Sequence, residues 1–105
     1  MRRFDVFRNN DRASAKHIPF LLLLQSELLD EMPTRVVAPL VVPNALSGPP
    51  AKTLNPEFEI EGQRVVMLTQ QLAGVTLQRL KTRVTTLGDR RDDIVRALDF
   101  LFSGV

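Results

Sequence analysis

The chain has 105 residues, 44% of them hydrophobic, with 14 Lys and Arg against 12 Asp and Glu and a formal net charge of +2. That length predicts one domain over residues 1–105, able to bury roughly two-thirds of the surface of its unfolded chain without a metal or disulfide. The absence of cysteine excludes thiol catalysis, thiolate metal sites and disulfides and fits a reducing, cytoplasmic setting, and the near balance of charge makes no demand for non-specific nucleic-acid binding.

Met1-Arg2-Arg3 runs straight into Phe4 and Val6, so no apolar leader is expected, and the longest apolar run, 20–24, is far too short to cross a bilayer. Arg2, Arg3, Arg8, Arg12 and Lys16 make the first segment basic, for which a solvated edge is a simpler reason than phosphate binding. Residues 3–8 alternate as a strand does, and Asn9-Asn10-Asp11 supplies a turn or loop. The apolar segment 18–29 is ambiguous by periodicity alone. Pro19 and Pro33 bracket a stretch too short for a comfortable helix, and 35–42 is rich in β-branched residues, so the two are read as an antiparallel pair joined near 30–34. Proline, glycine, serine and asparagine make 43–56 a long loop. Phe58 and Ile60 alternate with Glu57, Glu59 and Glu61, and a second strand follows over 64–68, with Glu61-Gly62-Gln63 closing a hairpin. Residues 69–74 fit either a bulged strand or one helical turn, and 75–80 return to alternation.

The clearest helix covers 89–105. Ile94, Ala97, Leu98, Leu101 and Val105 form its apolar stripe, widened by Val95 and Phe102, and Asp92, Arg96, Asp99 and Ser103 lie opposite. Asp99 and Ser103 are neighbours at i, i+4. Gly88 or Asp89 is the expected cap, with Asp92 and Asp93 suited to the positive end of the dipole. At least five strands before one helix predict an α+β fold, a curved antiparallel sheet or small barrel covered at one end by the helix.

The residues suggest no catalysis, metal or cofactor. His17 is the single histidine, and no nucleophile and base stand at a spacing that recommends them. Capping explains Asp89, Asp92 and Asp93, a solvated sheet face explains the three glutamates, and Gly48, Gly62, Gly74, Gly88 and Gly104 are scattered singly rather than gathered in a phosphate loop. Without Trp or Tyr, nucleic-acid stacking is weakly supported. Recognition of another protein remains, through the outer face and tail of the helix and through Leu28-Leu29. In a strand these leucines point to opposite faces and one is left exposed; burial of both, in the core or a dimer seam, is the simpler reading.

Phe4-Asp5-Val6-Phe7, then Gln25-Ser26-Glu27-Leu28-Leu29-Asp30 with Arg35-Val36-Val37-Ala38-Pro39-Leu40, then Met67-Leu68-Thr69, and finally Phe102-Ser103-Gly104-Val105 recur in a specific order. In these motifs the chain resembles, nearly end to end, the CcdB family of plasmid and chromosomal toxins. The resemblance implies an α+β homodimer with an SH3-like barrel core and a C-terminal helix, acting in the cytoplasm and in plasmid maintenance as the toxin of a type II toxin–antitoxin system. Such toxins wedge between the two GyrA subunits of DNA gyrase, trap the cleaved gyrase–DNA complex and block replication. Carried over, the gyrase-binding residues are Ser26, Leu28, Leu29, Asp99, Ser103, Gly104 and Val105; the toxin has no catalytic residue and needs no cofactor. The implied second partner is a CcdA-like antitoxin whose disordered C-terminal part wraps the toxin, and direct nucleic-acid or membrane contact is not expected. Relative to the F-plasmid form, this chain is longer by a few residues over 9–16. Ser103 stands where that form has a tryptophan that stacks on a gyrase arginine, and Asp99 stands for an asparagine; Phe100 and Phe102 are candidate replacements for the aromatic contact. Two alternatives stay open: an endoribonuclease toxin of the related MazF/Kid fold, which would recruit arginines such as Arg79 and Arg83 without an obvious base partner, and a binding module that is no longer toxic.

Overall fold

A computed structural model describes residues 1–104, and Val105, which the periodicity places on the helix stripe and the family resemblance assigns to gyrase contact, lies outside the described residues. The described residues form seven strands and one α-helix: β1 (Asp5–Arg8), β2 (Phe20–Leu23), β3 (Thr34–Val41), β4 (Glu57–Ile60), β5 (Gln63–Met67), β6 (Ala73–Thr76), β7 (Arg83–Thr86) and α1 (Arg91–Ser103). The strands make one curled antiparallel sheet in the order β4-β5-β3-β2-β1-β7, with β6 also paired to β3. The fold is thus the expected α+β arrangement of a small curled sheet with a C-terminal helix.

β3 is the strand around which the sheet bends. Its first half pairs with β6, from Thr34↔Thr76 to Val37↔Ala73, and its end pairs with β5 through Leu40↔Met67 and Val41↔Val66. Pro39 falls where the partner changes. Its carbonyl accepts from Leu68 N at 3.0 Å, so the position where an N–H is missing faces the gap between β5 and β6, spanned by a 3-10 turn at Thr69–Gln71, and no ladder bond is lost.

The leucines of β2 contradict local strand preference, and burial on both faces explains them. Phe20, Leu22 and Leu24 join a main core with Val6, Ala38, Leu40, Phe58, Ile60, Val65, Met67, Ile94 and Ala97. Leu21 and Leu23 join a second cluster with Phe7, Val37 and Leu80 on the other face.

Elsewhere the expected hairpin is present, with Ile60 opposite Gln63 and only Glu61 and Gly62 in the loop. Both have positive φ, 53° and 76°, the conformation of a two-residue type I′ turn whose twist matches the strands. Residues 69–74 resolve as the 3-10 turn followed by the start of β6. Strand character in 75–80 is shorter than expected, because a second 3-10 turn at Leu77–Arg79 carries Leu80 into the second cluster. β7 is not anticipated in the sequence reading.

α1 begins later than its sequence signals suggest. A 3-10 turn at Gly88–Arg90 leads into it, the N-cap is Arg90, and no described side chain caps it. Neither Gly88 nor Asp89 takes the cap position, because both lie in that 3-10 turn; the Arg90 guanidinium lies 4.7 Å from the centroid of the Phe58 ring and pairs with Asp93 at 2.9 Å. Ile94 and Ala97 are fully buried, and Val95 and Leu98 pack against the main core. Phe102, read as the edge of the stripe, is instead 73% exposed, because the helix contribution to that core ends at Leu98. The described helix is neither long nor apolar enough to cross a membrane.

Candidate functional site

The first candidate group stands on the connection 24–33. Gln25 ends the β2–β3 ladder with its side chain: Oε1 accepts from Val36 N at 3.0 Å, and Nε2 donates to the carbonyls of Leu29 and Thr34 at 3.3 Å each. Ser26 then sits in extended conformation as the N-cap of a 3-10 turn at Glu27–Leu29, its Oγ accepting from Leu28 N at 3.2 Å. From the opposite side, Arg3 donates its backbone N–H to Glu27 Oε1 at 3.2 Å and its Nε to the Leu24 carbonyl at 2.8 Å.

A 3-10 turn does not alternate its side chains across a sheet. Leu28 and Leu29 therefore both leave the core, 93% and 48% exposed, which corrects the expectation of a strand pair with burial of both leucines. The core takes its last residue from this run at Leu24, and Gln25 and Ser26 turn the chain outward. Met32, exposed in the same connection, adds to the apolar group and is absent from the sequence reading.

The second candidate group is the end of α1. Asp99, Phe100, Phe102, Ser103 and Gly104 are all exposed. Gly104 adopts the left-handed conformation at φ 74° and donates to the Phe100 carbonyl at 2.9 Å, a helix stop that suits glycine. Asp99 forms no ion pair among the described residues, and the last turn holds no basic residue. Its carboxylate thus adds to the negative end of the helix dipole.

The two groups are rooted in one core, because Leu24, at the foot of the connection, and Leu98, next to Asp99, belong to the same cluster with Val36. No hydrogen bond or ion pair joins Ser26, Leu28 or Leu29 to Asp99, Ser103 or Gly104 among the described residues. They are two exposed groups and not one bonded constellation.

His17 is exposed and, with Ile18, Val41, Ala45, Leu68 and Gln71, lines an open cavity of about 310 Å³. Glu57 pairs with Arg64, and Glu61 with Arg8. The arginines that an endoribonuclease would recruit are engaged: Arg79 Nη2 donates to Asn9 Oδ1 at 2.8 Å and its Nε to Asn10 Oδ1 at 3.2 Å, while Arg83 pairs with the buried Asp5 at 3.2 Å. No group of three or more possible metal ligands gathers among the described residues.

The chain is thus a small α+β protein with a curled sheet and one terminal helix, with Leu28, Leu29 and Met32 exposed on one connection and Phe100 and Phe102 exposed at the helix end. The chain belongs to the CcdB family: the family model described as CcdB protein matches residues 3–104. That membership makes it a toxin of the type II toxin–antitoxin class.

Proposed function

We propose that this toxin binds the GyrA subunit of DNA gyrase and traps the gyrase–DNA cleavage complex, acting in the cytoplasm as a homodimer that a CcdA-like antitoxin releases from its target. The observation that carries the reading is the pair of exposed apolar anchors, Leu28 and Phe102, each within a segment that the family resemblance assigns to gyrase contact. Ser26 acts by capping the turn that projects Leu28 and Leu29, and Gly104 acts by stopping the helix behind Ser103. A two-fold dimer would present each group twice, as an isologous wedge between two identical GyrA subunits requires.

Ser103 offers no aromatic face. Asp99 and Phe102 are i, i+3 neighbours on the same helix, so a cationic side chain of the target can meet a carboxylate and a ring together. A ring–cation contact contributes about 0.5–1 kcal/mol at an exposed site and ~2 kcal/mol once desolvated. The toxin itself needs no catalytic group, since the DNA breaks are made by gyrase.

The test is direct. Mixed with gyrase and DNA, the protein lowers supercoiling and linear DNA accumulates; expressed in a host, it stops growth, and an altered GyrA restores it. Gyrase that stays fully active in a large molar excess of folded protein rules the reading out.

A further inference from the structure

Among the described residues, Arg35 is the one arginine placed inside the fold, 5% exposed. It shares a face of β3 with Val37 by strand alternation, and Val37 belongs to the second apolar cluster. Burying a guanidinium costs several kcal/mol, and an apolar side chain of similar size would extend that cluster without the cost. Two of the three carbonyls that Arg35 holds lie outside the sheet, and the third belongs to the first residue of β3. Nη1 donates to the carbonyls of Met32 and, at 3.0 Å, of Thr34, and Nη2 donates to the carbonyl of Asp30 at 2.7 Å. The Asp30 carboxylate is 3.6 Å away and half exposed, and Nε has no partner among the described residues. The charge is therefore spent on the backbone between 30 and 34. That backbone continues the turn above it, through Asp30 N to the Glu27 carbonyl at 3.2 Å and Met32 N to the Leu29 carbonyl at 3.1 Å.

We propose that Arg35 is the positioning residue of the contact loop: its buried fork fixes the 27–32 backbone so that Leu28 and Leu29 are held ready for the partner, without touching it. The proposal deepens the gyrase reading and, for its binding half, rests on it. A planar fork can grip three carbonyls at once, whereas a lysine ammonium is a point donor.

Arg35→Met and Arg35→Lys test it with three readouts: thermal midpoint, amide exchange over 27–32, and binding to purified GyrA. Arg35→Met should keep or raise the midpoint, speed exchange over 27–32 while sparing β2 and β5, and weaken binding roughly tenfold, in keeping with the loss of charge-assisted hydrogen bonds. Arg35→Lys should fail to rescue binding. In a Leu28→Ala/Leu29→Ala background the same Arg35 changes should weaken binding no further, since the loop then has nothing to present. Equal weakening in both backgrounds, unchanged exchange over 27–32, or failure of both variants to fold would each overturn the proposal. Wild-type protein that ignores GyrA refutes the gyrase reading and the binding half with it, while the exchange experiment still decides whether Arg35 holds the loop.

Discussion

Leu28→Ala separates contact from stability most sharply. The side chain is 93% exposed and its N–H is already satisfied by Ser26 Oγ, so its removal takes nothing from the core. The change in folding free energy should stay within about 0.5 kcal/mol, as for other surface substitutions. For a domain of this length that is a shift of at most roughly 4 °C in the thermal midpoint. At the target the balance reverses. Full burial of a leucine side chain is worth about 1.5–3 kcal/mol, and truncation to alanine should remove about 2 kcal/mol, or roughly thirtyfold in Kd. The assay pairs a thermal melt with calorimetric titration of purified GyrA, and growth after expression supplies the readout in cells. A variant that binds GyrA as tightly as the parent shows that the loop is not an anchor. One that loses more than about 1 kcal/mol of stability shows that Leu28 is covered in the protein in solution, a dimer seam being the place to look.

Ile94→Ala should give the opposite pattern: the fully buried side chain leaves a cavity costing about 2–5 kcal/mol, seen as a large fall in the denaturation midpoint. Asp99→Asn removes an unpaired charge near the negative end of α1 and should raise stability by about 0.3 kcal/mol, while flattening the salt dependence of association with GyrA, measured by stopped flow. Phe102→Ala should weaken binding more than Phe100→Ala, because Phe102 is the more exposed ring, 73% against 42%; the reverse order, measured in parallel titrations, would move the aromatic contact to Phe100. Gly104→Ala forces a left-handed alanine at a cost of roughly 1 kcal/mol, read as faster exchange of the amide that bonds the Phe100 carbonyl, with weaker target binding.

Much of this fold is legible in the chain. Alternation marks β1 and the β4–β5 hairpin, the Glu61-Gly62 pair marks its turn, and the apolar stripe marks α1. Where reading failed, contacts distant in sequence decided. β7 is four residues with little apolar signal, and it is a strand because β1 offers it an edge. The 24–33 connection is the instructive case. Leu28 and Leu29 read as core because they continue a leucine run, yet the polar pair Gln25-Ser26 already carried the signal for a turn, Ser26 being a cap residue two positions before Leu28. Arg35 carried another, since a charge at an inward position of a strand needs acceptors, and the carbonyls of the preceding turn are the nearest supply.

The two exposed groups differ in how much order they already have, and this sets which of them should dominate binding. The 24–33 connection is held by the Gln25 side chain, the Ser26 cap, Arg3 and the Arg35 fork, so Leu28 is presented on backbone whose ordering cost is met in the free protein. The end of α1 has only the last helical turn and a glycine stop behind it, and Phe102 stands on a part of the helix beyond the core. If both groups meet the target, equal apolar area buried at the two places should yield unequal affinity, with Leu28→Ala costing more binding than Phe102→Ala. In a protein whose Ser103 contributes so little area, weight shifts further toward the loop, and variants that loosen 27–32 should cost the toxin more than variants that change the identity of residue 103.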